Sequence, residues 1–149
     1  MMMLQDDLDQ KILRLLQHNG KLTYEEIGAM VDRSPSTIRD RIKKLEDSRT
    51  ILGYSAIVDQ AKVGIGADAY VEADIAPDKT QSAISGLYAL ENISEILRVT
   101  GERRIMFRAR AATNQELVDV IDRKIRPLGF TNIKITMVLE PVIRYPGKR

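Results

Sequence analysis

The 149-residue chain has no cysteine, no tryptophan and a single histidine, His18. Without cysteine there is no disulfide framework, no thiolate metal ligand and no Cys nucleophile. One histidine would leave a zinc site to be built almost wholly from carboxylates, which zinc seldom accepts. Aromatic residues make up only 5% of the chain, too few for the stacking platforms that grip single strands. No stretch approaches the roughly 20 apolar residues of a membrane span. Met1 to Leu4 is apolar but runs straight into Gln5-Asp6-Asp7, without the basic start and longer apolar run of a secretory signal. The expectation is a cytoplasmic protein without a membrane partner, a metal or a cofactor. Charge of one sign is also lacking: 23 Lys+Arg stand against 21 Asp+Glu, for a net +2. That excludes binding polyanions by bulk charge and leaves open a local basic surface.

What is present divides into two patterns. Leu8, Ile12, Leu15 and Leu16 recur at helical spacing, with Asp6 or Asp7 as N-cap and Asn19-Gly20 as stop. Thr23 and Glu26 have the spacing of a capping box, with Leu22 and Ile27 placed as a hydrophobic staple, so a second helix runs to about Val31. After only Asp32-Arg33, Ser34-Pro35 supplies a favoured helix opening. In the third helix, Ile38, Ile42 and Leu45 form one buried stripe. Ser36, Asp40, Lys43 and Lys44 lie opposite, with Thr37, Arg39 and Arg41 on the flanks.

From Ile51 the pattern turns β-prone. A connecting strand is predicted over 51–58, followed by a loop with Gly64 and Gly66. Ala69, Val71, Ala73 and Ile75 then alternate with polar residues as a half-buried strand closed by Pro77. A helix is predicted over 80–90, a strand over 93–100 and a third strand over 105–111. Thr113 and Glu116 suggest a capping box for a helix burying Leu117, Val120, Ile121 and Ile125, broken by Pro127-Leu128-Gly129. A last strand over 133–139 would place Ile133, Ile135, Met137 and Leu139 on one face. Three helices, a linking strand and β-α-β-β-α-β predict an α+β chain. Residues 1–58 form a helix-turn-helix unit with its linking strand, and residues 59–149 a ferredoxin-like unit.

Two helices joined by so short a turn, the second polar and basic outside, describe a helix-turn-helix for double-stranded DNA. From Arg33 to Arg49 six Lys/Arg face three Asp/Glu, a local +3 inside residues 1–53, where nine basic groups balance nine acidic ones. Ser34, Ser36 and Thr37 put free N–H groups and small hydroxyls at a helix start, suited to a phosphate. Ser36, Thr37, Arg39, Asp40 and Lys43 are candidates for the base edges, and Lys44, Arg41 and Arg33 for phosphates; Arg39 suits either a guanine or a phosphate. Arg41 has a second reading, holding the fold through an acid on a neighbouring helix. A basic helix face can also be no more than a solvated one.

The runs Leu8-Asp9-Gln10-Lys11-Ile12-Leu13, Ile27-Gly28, Ser34-Pro35-Ser36-Thr37-Ile38-Arg39-Asp40-Arg41-Ile42-Lys43-Lys44-Leu45-Glu46 and Ile51-Leu52-Gly53-Tyr54-Ser55-Ala56 resemble the Lrp/AsnC (feast/famine) family of prokaryotic transcription regulators. The resemblance covers about residues 6–141. It implies an N-terminal winged helix-turn-helix joined to a C-terminal RAM domain, whose sheets pair into dimers and higher even oligomers such as octamers. It also implies an amino acid or related metabolite bound between dimers near the loop joining the second and third strands.

On that resemblance Gly101, Glu102, Arg104, Asp122 and Thr136 are the effector candidates. Gly101 matches the family's Gly-x-x-Asp pattern, whereas Arg104 stands where Asp is usual, and Gly101 can equally serve only its turn. Arg49 stands where the family usually has Gly, so Arg49 must take a positive φ or the turn must differ. On the sheet face away from the helices, Tyr70, Glu72, Asp74, Arg98, Arg108, Arg110, Lys134 and Thr136 are expected. Glu72 and Asp74 would meet Arg108 and Arg110 there, either as a solvated face or as a dimer interface. Two other readings stand beside a metabolite-gated regulator. One is an effector-independent global or architectural DNA binder. The other, remote, is an enzyme similar to sirohaem decarboxylases, for which His18 is the only imidazole.

Overall fold

The computed structural model describes residues 6–145, so the apolar start Met1 to Leu4 lies outside the described residues. Two compact units form, one from residues up to Ile57 together with the described tail from Val142, the other from Val58 to Pro141.

In the first unit, helices α1 (Asp7–His18), α2 (Tyr24–Val31) and α3 (Pro35–Asp47) follow the local signals. The Asp6 carboxylate caps α1 by accepting from the Asp9 N–H at 2.8 Å. Thr23 and Glu26 close a reciprocal capping box on α2. Ser34 caps α3, accepting from the Thr37 N–H, and Pro35 follows at the first helical position. Ile12, Ile27, Ile38, Ile42 and Leu45 are buried together, with Leu8, Leu16, Leu22 and Ile51 packed around them. Each such side chain contributes about 1.5–3 kcal/mol on leaving water.

The turn between α2 and α3 is tight. Asp32 takes a left-handed conformation (φ 55°), and the Arg33 N–H donates to the Gly28 carbonyl at 2.9 Å. A Cβ on Gly28 would lie 2.5 Å from the Arg33 carbonyl oxygen, so only glycine lets α2 come this close to the turn.

Arg41 settles between its two readings on the fold side. Its guanidinium leaves α3 for α1, pairing with Asp6 and with Asp9 at 3.3 Å. The Asp9 N–H and then the Arg41 guanidinium hold the Asp6 carboxyl below its ordinary 3.8. Stability from this clamp is therefore present above about pH 3.8 and is lost as pH falls through the lower folded value. Asp6→Asn keeps a cap acceptor without the charge. It is expected to flatten the acid limb of helix content against pH; an identical acid limb in both proteins would show that other carboxylates set it.

Four strands build the second unit: β1 (Ala67–Asp74), β2 (Ile93–Arg98), β3 (Ile105–Ala111) and β4 (Thr131–Met137). They form one antiparallel sheet in the order β2-β3-β1-β4, with α4 (Thr80–Tyr88) and α5 (Asn114–Val120) in the crossovers. This is the ferredoxin-like arrangement. Ala67, Ala69, Val71 and Ala73 of β1 and Ile105, Phe107, Ala109 and Ala111 of β3 bury one face under Ala83, Leu87, Leu117, Val120, Ile121 and Ile125. The small alanines let the helices lie close to the sheet, and Phe107 meets Phe130 with ring centroids 5.8 Å apart.

Several expectations are corrected. Residues 51–58 form no strand, because among the described residues no segment pairs with them in a ladder; Leu52, Tyr54, Ile57 and Val58 are left exposed. The last strand runs over 131–137, so Leu139 lies beyond it and is 96% exposed. Ile135 and Met137 do share the helix-facing side with Val71 and Ala69 but remain exposed, since β4 is an edge strand. A register shift in β2 places Arg98 opposite Ile105, on the helix side, so Arg98 does not belong to the open face. At α5 the Thr113 hydroxyl accepts from the Glu116 N–H, but the Glu116 carboxylate reaches back to the Ala112 N–H and not to Thr113. Beyond Val120 that helix widens into a π segment, Ile121–Ile125, before Pro127 and a left-handed Gly129 end it.

Candidate DNA-reading and effector-binding surfaces

The buried stripe of α3 dictates what its other side presents. With Ile38, Ile42 and Leu45 inward, Ser36, Arg39, Asp40, Lys43 and Lys44 are exposed and Thr37 is half-buried. Ser34, Ser36 and Thr37 form a hydroxyl cluster at the helix start, with Ser34 Oγ 3.1 Å from Ser36 Oγ and 2.9 Å from Thr37 Oγ1. Ser34 is therefore engaged in capping, and Ser36 and Thr37 offer the freer hydroxyls. Arg39 contacts Asp40 at 3.5 Å with both side chains more than 60% exposed. An ion pair so exposed contributes little and gives way readily to a phosphate or a base. Arg33 curls back on the turn, donating to the Asp32 carbonyl at 2.9 Å. Arg41 is turned onto α1, away from the outward set.

At the end of α3 the chain reverses through Arg49, whose φ is +56°. The Arg49 N–H donates to the Glu46 carbonyl and the Ile51 N–H to the Leu45 carbonyl, both at 2.9 Å. Of the two alternatives left by the sequence, the positive φ is the one adopted.

The open face of the sheet carries Asp68, Tyr70 and Glu72 of β1 beside Arg110, Arg108 and Met106 of β3 and Thr136 and Lys134 of β4. The acid that meets the arginines is Asp68, not Glu72 or Asp74. Arg108 donates to its two oxygens from Nε at 2.8 Å and Nη2 at 2.6 Å, a forked pair largely screened from solvent. Arg110 approaches Asp68 at 4.0 Å and donates to Gln60 at 3.1 Å. Arg108 also lies over the Tyr70 ring at 5.2 Å. Hydrogen bonding to the Asp68 carboxylate raises the Arg108 pKa further above its already high value. The alternation through Tyr70 and Glu72, carried one step back past Ala69, would have found Asp68.

The effector candidates do not converge within one copy. Gly101, with φ +103°, turns the loop between β2 and β3; Glu102 and Arg104 are exposed on it. Thr136 sits in register with Tyr70 on the open face. Asp122 is on the helix side, exposed and paired with Arg126 at 2.8 Å. The loop is instead fastened by a residue the sequence did not single out. Arg103 donates from Nε to the Asn132 carbonyl at 2.8 Å and from Nη2 to Asn132 Oδ1 at 3.1 Å; Asn132 Nδ2 donates to Asp74 at 2.9 Å. Asn132 is itself left-handed (φ 50°), and nothing in a lone Asn near a strand start signals that. Among the described residues no group of three or more His, Cys, Asp and Glu is placed to hold a metal ion.

Known proteins share both units. An AsnC-type helix-turn-helix domain matches residues 6–46, and an Lrp/AsnC ligand-binding domain matches residues 68–147. An uncharacterised helix-turn-helix transcriptional regulator of Pyrococcus furiosus is 34% identical over 142 residues, 91% of each chain. The transcriptional regulator Ptr1 of Methanocaldococcus jannaschii is 32% identical, over 90% of this chain and 91% of its own. Among solved structures, a transcriptional regulator of Neisseria meningitidis in complex with L-methionine superposes with a TM-score of 0.89 at 25% identity, covering 98% of this chain and 97% of that one. AsnC of Escherichia coli superposes at 0.85 and 25% identity, covering 95% and 97%.

Proposed function

The chain belongs to the Lrp/AsnC family of DNA-binding transcriptional regulators, and we propose from that premise that α3 reads its DNA, that the open sheet face pairs two copies, and that an amino acid or related metabolite modulates the assembly. The observation that carries this reading is the division of α3 into an inward apolar stripe and an outward set of Ser36, Thr37, Arg39, Asp40, Lys43 and Lys44. Two copies place two such helices in successive major grooves of a pseudo-palindromic site, about one helical turn apart or a multiple of it. Ser36, Thr37, Arg39 and Asp40 face the bases, Lys43 lies beside them within reach of the backbone, and Lys44 binds the backbone. The protein works in the cytoplasm, as a regulator and not as an enzyme, and uses no cofactor. His18, the one imidazole, is an exposed residue ending α1, far from a catalytic setting.

Lys43→Ala and Lys44→Ala are each expected to weaken binding about equally on specific and random duplexes. Each should lower the slope of log affinity against log salt by about 0.9 for every phosphate no longer neutralised. An unchanged slope in both variants would remove α3 from the backbone interaction.

A second reading, an effector-independent DNA binder, is favoured by one observation. Gly101, Arg104, Asp122 and Thr136 do not gather in a single copy. Thermal shift with pooled amino acids separates the two, because a ligand of the folded assembly raises the midpoint.

A further inference from the structure

An open cavity of about 490 Å³ lies within the first unit, bounded by α1, the turn into α2, α3 and the segment beyond α3. Small-molecule sites run from about 300 to 1,000 Å³. Leu16, Leu22 and Ile42, all packed in the core of this unit, give it apolar surface. Tyr24 and Tyr54 add two phenol rings. The Tyr54 ring is folded onto the α1–α2 turn, where a Cβ on Gly20 would lie 3.7 Å from its Cδ1.

The same cavity is lined by one acid, Glu46, and one base, Lys21. The Glu46 carboxylate stands close to the Tyr54 phenol. Burial, then Glu46, then Tyr24 push that phenol above its ordinary 10.0, so at neutral pH it keeps its proton. Elsewhere on this chain exposed opposites find each other, as Arg39 does Asp40 and Arg126 does Asp122. Glu46 and Lys21 do not: among the described residues neither side chain forms an ion pair or a hydrogen bond. Both charges remain available to a third body that carries one of each sign.

We propose that this cavity binds a free amino acid with an apolar or aromatic side chain, at a site separate from the loop between β2 and β3. The ligand's ammonium donates to the Glu46 carboxylate beside the phenol rings, which also attract a cation. Its carboxylate meets Lys21, whose long stem lets the ammonium swing to it. Its side chain covers Leu16, Leu22 and Ile42. Glu46 belongs to α3 and Tyr54 lies beyond it, so occupancy ties the following segment to that helix and stabilises the first unit.

L-phenylalanine is titrated into the full chain beside phenethylamine, which lacks the carboxylate, and hydrocinnamate, which lacks the ammonium. Hydrogen exchange locates what each protects. L-phenylalanine is expected to slow exchange over 16–24 and 42–54 and to leave 99–104 unchanged, with either analogue about fivefold weaker. Glu46→Gln should weaken L-phenylalanine and phenethylamine by about fivefold but spare hydrocinnamate. Lys21→Gln should weaken L-phenylalanine and hydrocinnamate and spare phenethylamine. Both side chains are exposed, so the variants keep the fold. No saturable binding of L-phenylalanine at millimolar concentration overturns the site. Protection confined to 99–104 also overturns it, and leaves the effector reading of the second unit standing. If either variant binds L-phenylalanine as wild type does, the assignment of the two charges to a zwitterion is overturned.

Discussion

Gly28→Ala is expected to melt the first unit well below the wild-type midpoint while the second unit keeps its own transition. The added methyl group would sit 2.5 Å from the Arg33 carbonyl oxygen, and that oxygen belongs to backbone, which cannot swing aside. Relief requires α2 to back away from the turn. That breaks the Arg33 N–H to Gly28 carbonyl bond and opens the packing of Ile27 against Ile38 and Ile42. Overpacking of this kind costs about 1–3 kcal/mol, a large share of what a core of five buried aliphatic side chains can hold. The two cores have no residue in common, so calorimetry should resolve the loss as a separate early transition, with DNA binding abolished alongside it. A single transition at the wild-type midpoint would mean that the turn yields more easily than its geometry indicates.

The second large effect is expected at Asp68. Arg108 is 16% exposed and Asp68 13%, and the guanidinium makes both of its short hydrogen bonds to this carboxylate. Asp68→Ala leaves that cation on a half-buried sheet face without its forked acceptor. Removing one partner of such a pair costs about 3 kcal/mol, far more than the intact pair contributes over an apolar replacement. The midpoint of the second unit should fall by about 10 °C or more, and sedimentation should show a larger monomer fraction if this face joins two copies. Asp68→Asn, which keeps one acceptor oxygen, should lie between. An Asp68→Ala protein as stable and as associated as wild type would show that water substitutes for the carboxylate, and would take the open face out of the interface.

Helix starts are the most legible part of the fold, because capping is a local affair. Thr23 with Glu26, and Ser34 with Pro35, find their partners within three residues, and the structure uses both signals. Strand alternation is legible for the same reason, down to the bounds of β3. The features that escape the sequence are nonlocal. Residues 51–58 have the composition of a strand, but a strand exists only where a neighbour completes its ladder. Simple alternation puts Arg98 on the wrong face because one register shift, between Ile93 and Glu95, inverts the sides of the later β2 residues. Alternation puts Asp68 on the open face, but its pairing with Arg108, forty residues away along the chain, is not written locally. Of the DNA candidates, the outward set is dictated by helical periodicity, whereas the turn of Arg41 toward Asp6 and Asp9 depends on how α1 crosses α3.

The partition of α3 reaches beyond one operator. Ile38, Ile42 and Leu45, the Gly28–Arg33 approach, the Ser34 cap and the Arg41 pairing to Asp6 and Asp9 set the shape and placement of the helix. Ser36, Arg39, Asp40 and Lys43 carry almost none of that burden. The outward residues form an alphabet that can be rewritten one letter at a time without a folding penalty. On the proposed role of α3, duplicated copies of such a chain diverge to new target sites by substitution at a handful of exposed positions, and a designer can redirect this one by the same few changes.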